Sequence, residues 1–248
     1  ENASARGITD FDSSMVRYGK GALGGKGRGF RFLHSVSDKF GLQTIIPELR
    51  ISVPNCFVLA TEVFDRFLDE NQMRQAALEA TADEELVKLF DAAPLPADVS
   101  AELQKYVAQV GAPIAVRSSS MFEDAFLQPF AGVYSSFMLP NDGGEEQRLA
   151  QLEGAVKRVY ASTFCQAARG YIASTQNRLE EEKMAIIVQE LVGEADGHGH
   201  FHPSLAGVAN SIDFYPRPHT SHEHGCAQLS LGLGAAVVGG TPSVQFSL

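Results

Sequence analysis

Residues 184–192 read MAIIVQELV. Apolar side chains stand at both odd and even positions, so neither face of an extended chain here can be left to water. Such a run reads as a central strand, covered on both faces. The run CFVLA (56–60) gives a second buried strand over Phe57–Ala60, and Pro113 opens a third in IAVR. Around them the apolar period changes to that of helices. Val63, Phe64, Phe67 and Leu68 follow Thr61, which reads as an N-cap. A helix over 84–91 is stopped by Pro94 and Pro96. Ser100 caps another, with Leu103, Val107 and Val110 on one face and Gly111 as its stop. The longest helical pattern, 145–172, carries Leu149, Leu152, Val156, Val159 and Phe164 along one stripe.

Beyond Val192 the composition shifts to Gly, His, Pro and Ser, with short strands in GVANSIDFY and CAQLSL. This predicts a second lobe rich in loops and β-structure. It ends in a strand-like run, SVQFSL, so the chain reads as cut at Leu248. Residues 1–16 are polar and read as an arm or leader, with no initiating Met and no charged-then-apolar signal.

The chain has 248 residues and a formal charge of −10. That balance argues against a nucleic-acid binder, which needs a basic face. No apolar run approaches the ~20 residues of a membrane helix. Cys56, Cys165 and Cys226 are far apart and odd in number, which suits free thiols in a reducing cytoplasm.

Five stretches could carry chemistry. YGKGALGGKGRGFR (18–31) has six glycines between Gly19 and Gly29, with Lys20, Lys26 and Arg28 among them. It fails the Walker pattern, because Gly25-Lys26 is followed by Gly27. Gly19, Gly21 and Gly24 match Gly-x-Gly-x-x-Gly, but no convincing strand precedes them. Phe30, Phe32 and Leu33 look like the first buried turn of the helix that follows. Backbone N–H groups and Lys26 near a helix start would hold an anion; a flexible loop with solvated lysines explains the stretch as well.

In AVRSSSMFED (115–124) a strand delivers Arg117, suited to forked contact with phosphate oxygens, and three serines that offer donors to the same anion. A surface arginine paired with Glu123 or Asp124 is the alternative. PFAGVYSSF (129–137) sets Ala131-Gly132 between Phe130 and Tyr134, as a close backbone approach or as a hairpin turn. VQELV (188–192) meets the lobe boundary, where a strand end can present N–H and C=O to a purine edge, or it is plain core. Six of the seven histidines lie between His198 and His224. His200 and His202 would share a strand face, yet a polar hairpin explains them, and no metal site is assigned.

Taken in order, GGKG (24–27), VPNCFVLATEVFDRFL (53–68), IAVRSSSMFED (114–124), FAGVYSSF (130–137), VYASTF (159–164), AIIVQELV (185–192), AGVANSIDFYP (206–216) and LGLGAAVVGG (231–240) resemble the nucleotide-binding domain of the phosphoenolpyruvate synthase and pyruvate phosphate dikinase family. The similarity spans roughly 18–248. It implies an α+β, ATP-grasp-like fold: a leader over 1–17, a first lobe over 18–193 and a partial second lobe over 194–248. Lys26 then matches the lysine on the ATP phosphates and Arg117 the arginine that clamps them. Gly132 and Ser136 match positions near the phosphates, and Gln189, Glu190 and Val192 the strand that holds adenine.

The resemblance implies ATP with Mg²⁺, whose ligands are expected beyond Leu248. The implied partners are a phosphohistidine carrier domain and a pyruvate-binding domain of a longer cytoplasmic phosphotransferase, in which phosphate passes from ATP to the carrier and then to pyruvate. This chain alone is expected to be inactive. A related dikinase with another acceptor (glucan, water, an antibiotic) and a non-catalytic ATP-sensing module remain open.

Overall fold

The structure is a computed structural model that describes residues 15–41, 48–122, 132–175, 177–234, 237 and 243–247. The chain divides into two compact units, Glu1–Leu191 and Val192–Leu248.

In chain order the first unit holds β1 (Met15–Tyr18), α1 (Gly24–Phe40), β2 (Cys56–Leu59), α2 (Thr61–Glu70), α3 (Arg74–Glu79), α4 (Asp83–Ala92) and α5 (Ala97–Gln109). Then come β3 (Ile114–Ser120), β4 (Ser136–Leu139), α6 (Glu145–Ser162), α7 (Gln166–Ala173) and β5 (Met184–Glu190). The strands form one mixed sheet in the order β1-β2-β5-β3-β4. β1 runs parallel to β2, while β5 runs antiparallel to both β2 and β3, and β4 antiparallel to β3. β1, β2 and β3 therefore all point the same way, and their C-terminal ends gather at one end of the sheet. The α+β class implied by the motifs is the class observed.

The centre of the sheet is where the doubly apolar run predicts it. Met184, Ile186 and Val188 of β5 join Phe57 and Leu59 in a large core, while Ile187 joins Cys56 and Val58 in a smaller one with Leu23 of the α1 approach. The large core is dense in aromatic rings. Phe64, Phe67, Phe90, Tyr160 and Phe164 stack or tilt against one another at centroid distances of 5.1–6.1 Å.

Several expected details differ. Met15–Tyr18, assigned to the polar leader and its border, form an edge strand that precedes the glycine loop. Thr61 is the first residue of α2 rather than its cap, because its hydroxyl accepts the Ala22 N–H at 2.9 Å. Ser100 lies inside α5, where its hydroxyl donates to Glu153. The helix expected over 145–172 breaks into α6 and α7 around Thr163–Cys165. Helix α3 carries no clear apolar pattern.

The second unit contains a short hairpin, β6 (Glu194–Ala195) with β7 (Phe201–His202). It also contains an antiparallel sheet of β8 (Leu205–Asn210), β9 (Cys226–Leu231) and β10 (Val244–Ser247), with β9 in the middle.

Candidate functional site

The glycine loop is a joint between secondary structures. Its carbonyls serve α2: Thr61 N–H donates to Ala22 O at 3.0 Å and Glu62 N–H to Lys20 O at 3.1 Å. These are amides that a helix N-terminus leaves without internal acceptors. The Arg17 guanidinium holds Gly19 O at 3.0 Å and Gly21 O at 2.8 Å. The loop's own amides are also engaged, Lys20 N–H by the Glu62 carboxylate and Ala22 N–H by Thr61. The expectation that these amides wait for an anion is corrected at both positions. Ahead of the loop, Tyr18 OH donates to Asp98 at 2.5 Å, and Arg66 grips the same carboxylate with two nitrogens at 2.7 and 2.9 Å. Burial, then the Asp98 carboxylate, pushes the Tyr18 phenol up to about 12. Arg66 holds Asp98 well below the usual carboxylate range.

Helix α1 starts at Gly24; its first buried turn is glycine, and His34 and Ser37 are buried further along. Gly24, Gly25 and Gly27 are buried; of the expected apolar turn, Phe30 is half-buried against the small core, while Phe32 and Leu33 are 67% and 50% exposed. Without side chains the helix start sits directly on β3. Gly24 has φ of 68°, and a Cβ there would lie 1.7 Å from Ser119 O.

The three serines of β3 build the site from within. The Lys26 ammonium donates to Ser118 O at 3.0 Å and to Ser118 Oγ at 3.3 Å. Ser119 Oγ donates to Leu23 O at 2.7 Å and accepts from Gly27 N–H at 3.0 Å, so it bridges the ends of the first turn of α1. Ser120 Oγ accepts the Phe122 N–H at 3.0 Å. All three are buried. In place of the expected donation to a bound anion, each hydroxyl has a partner within the protein, and Ser118 holds the Lys26 ammonium. Ser119→Ala is expected to cost about 1–2 kcal/mol by removing a cap from outside the helix; an unchanged urea midpoint would show that the bridge carries no energy.

Arg117 lies between Ile187 on β5 and Ser136 on β4. Directly paired residues project to the same side of a sheet. Ile187 packs in the small core with Val58 and Leu23, so Arg117 and Ser136 belong to the α1 face. Gln189 pairs with Ala115 and Cys56 on that face, and its Oε1 lies 3.4 Å from an Arg117 nitrogen. Glu190, one residue on, falls on the opposite face. There its charge joins burial in raising the pKa of Tyr106. Glu190 N–H donates to Asn55 O and Leu191 N–H to Pro113 O, both inside the first unit. Val192 N–H is the next amide along the chain, and it has no acceptor among the described residues.

Gly132 is exposed, with φ of 77°, and a Cβ added there would meet nothing within 4 Å. Phe130, Ala131, Glu123 and Asp124 lie outside the described residues. Tyr134 is buried, with its hydroxyl on Glu182 at 2.9 Å.

The α1 face thus carries an ordered row. Lys26 and Ser119 stand at one end, Arg117 and Ser136 in the middle and Gln189 at the other. Four strand steps from Ser119 to Ala115 make it about 14 Å long. Residues 20–246 match the pyruvate phosphate dikinase AMP/ATP-binding domain. The chain belongs to this family. It is also similar to an uncharacterized phosphotransferase, YvkC, of Bacillus subtilis (strain 168), at 28% identity over 190 residues. That alignment covers 77% of this chain and 20% of the relative, so the chain spans a fifth of that protein's length.

Membership in this family makes the chain an AMP/ATP-binding domain. No helix among the described residues is long and apolar enough to cross a membrane. Nor do the described residues contain a group of three or more His, Cys, Asp or Glu that could hold a metal ion. In the histidine-rich hairpin, Asp196 takes the N–H groups of His198 and His200 and the His200 ring at 2.9 Å.

Proposed function

We propose that the chain binds ATP in an ATP-grasp manner along the α1 face. Lys26 and Arg117 take the phosphates, with Gly132 and Ser136 beside them. Gln189 and Val192 take the adenine end; Glu190, expected beside them, has its side chain on the opposite face and its N–H on Asn55 O, and drops out of the site. The observation that carries this reading is the ordered row itself: two cations at one end and the middle, and an amide side chain about 14 Å away along one sheet face. That length suits an extended nucleoside triphosphate. The Val192 N–H, past two amides already engaged, suits a purine ring nitrogen.

Phosphoryl transfer depends mostly on positioning and charge neutralisation. Here Lys26 is aimed by Ser118 and Arg117 by its place between two strands. In the longer protein, ATP would phosphorylate a histidine of a carrier domain, which passes the phosphate to pyruvate in a further domain, as in a phosphoenolpyruvate synthase. Mg²⁺ would arrive with the nucleotide and find its protein ligands outside these 248 residues. Three unpaired thiols, Cys56, Cys165 and Cys226, support a cytoplasmic setting.

Calorimetric titration of ATP, with and without Mg²⁺, tests the reading. Saturable 1:1 binding is the expected result, with ATP favoured over GTP. Failure to saturate at millimolar ATP would remove the nucleotide from this face.

A further inference from the structure

We propose that Glu182 is a positioning residue for the nucleotide phosphates, a role that rests on the ATP reading above. Glu182 lies between a single 3-10 turn, Leu179–Glu181, and β5, and it is 2% exposed. Its Oε1 accepts from Lys183 N–H at 2.9 Å and Met121 N–H at 3.2 Å. Its Oε2 accepts from Tyr134 OH at 2.9 Å, and the Ser120 hydroxyl donates to the same carboxylate. These four donors are neutral. The nearby Lys183 ammonium is engaged with Asp65 instead.

A buried carboxylate served by neutral donors is an expensive way to fill space. An apolar side chain would plug the same volume at lower cost. What the carboxylate supplies is a set of fixed distances among three chain segments. Each segment leads to a residue assigned to ATP. Ser120 and Met121 follow Arg117 on β3 by three and four positions. Tyr134 stands midway between Gly132 and Ser136. Lys183 immediately precedes β5, the strand that carries Gln189. Ser118 and Ser119, just before Ser120, hold Lys26 and the start of α1. Glu182 therefore locks the Gly132–Ser136 segment to the strand that aims both cations. A second tether, Ser135 N–H to Ser162 Oγ at 3.1 Å, limits how else that segment can sit.

The experiment titrates ATP and AMP into wild type, Glu182→Ala and Glu182→Gln, with the melting temperature of each recorded. AMP keeps the base but lacks the outer phosphates. Glu182→Ala is expected to lose about tenfold in ATP affinity, the scale of a vacated buried acceptor, and to keep its AMP affinity. Glu182→Gln is expected to regain most of the loss. Its amide oxygen still accepts from the two backbone N–H groups, and its NH₂ can donate to the Tyr134 and Ser120 oxygens.

Equal losses for ATP and AMP would reveal a merely structural role and overturn the proposal, as would no loss for either. If Glu182→Ala does not fold, Tyr134→Phe removes one donor without touching the backbone pairs. It must then show a severalfold loss confined to ATP, or the proposal falls. Wild type that binds no ATP overturns the ATP reading and this inference together. Wild type and Glu182→Ala binding ATP equally well overturns the inference alone.

Discussion

Gly24→Ala is expected to destabilise the first unit by more than about 3 kcal/mol, enough to leave much of the protein insoluble. Two penalties coincide. The φ of 68° is a left-handed conformation that costs a non-glycine residue about 1–2 kcal/mol. The added Cβ would also lie 1.7 Å from Ser119 O, 2.4 Å from Ser119 C and 2.5 Å from Ser119 Oγ. Those are backbone atoms and a hydroxyl held by two hydrogen bonds, not the far end of a flexible side chain. They have little room to retreat, because Ser119 is paired with Ala185 of β5 and its hydroxyl is fixed between Leu23 O and Gly27 N–H. Gly29 is the control. It lies in the same helix with nothing within 4 Å of its added Cβ. Gly29→Ala is expected to be neutral or to stabilise by about 0.5–1 kcal/mol through helix propensity. Urea midpoints of the two variants decide. If Gly24→Ala unfolds at the wild-type midpoint, helix α1 does not rest on β3 as described.

The contrast between those glycines shows what a sequence can and cannot announce. Strand β5 is legible because Ile186, Ile187 and Val188 offer no polar face to water at either parity. Helix α2 is legible because Val63, Phe64, Phe67 and Leu68 repeat at helical spacing, and all four are fully buried. Helix α1 misleads because its first buried turn is glycine and its later buried positions are the polar His34 and Ser37, so Phe32 and Leu33 mark the wrong side. Strand β1 escapes notice because four residues at a sheet edge, MVRY, are too short for alternation to stand out.

The site is legible as residue types and not as partnerships. Arg117 and Lys26 stand out by charge beside serines and glycines. That the serines serve the protein rather than a ligand depends on contacts between residues more than ninety positions apart, such as Ser119 with Leu23. Glu182 gives no signal, since it ends a run of three glutamates, 180–182, that reads as a solvated turn. Only the donors that surround it separate it from its neighbours.

Lys26→Ala and Arg117→Ala are each expected to weaken ATP binding by about 10- to 100-fold, the scale of a charged hydrogen bond removed from an anion. The two should differ in kind. Arg117 is half-buried and presents a planar fork, so Arg117→Lys should recover little of the loss. Lys26 is a point charge, and Lys26→Arg should recover more, provided that the longer head fits beside Ser118. Both losses should shrink for AMP, which offers one phosphate instead of three. The double variant decides whether the cations grip one phosphate or two. Independent phosphates give losses that multiply, whereas a shared phosphate gives a double loss well short of the product. Melting temperatures must accompany the titrations, because Lys26→Ala also vacates the Ser118 carbonyl and hydroxyl. Variants that stay folded and bind ATP like wild type would place the triphosphate elsewhere, since a nucleotide laid along the α1 face toward Val192 has to pass both cations.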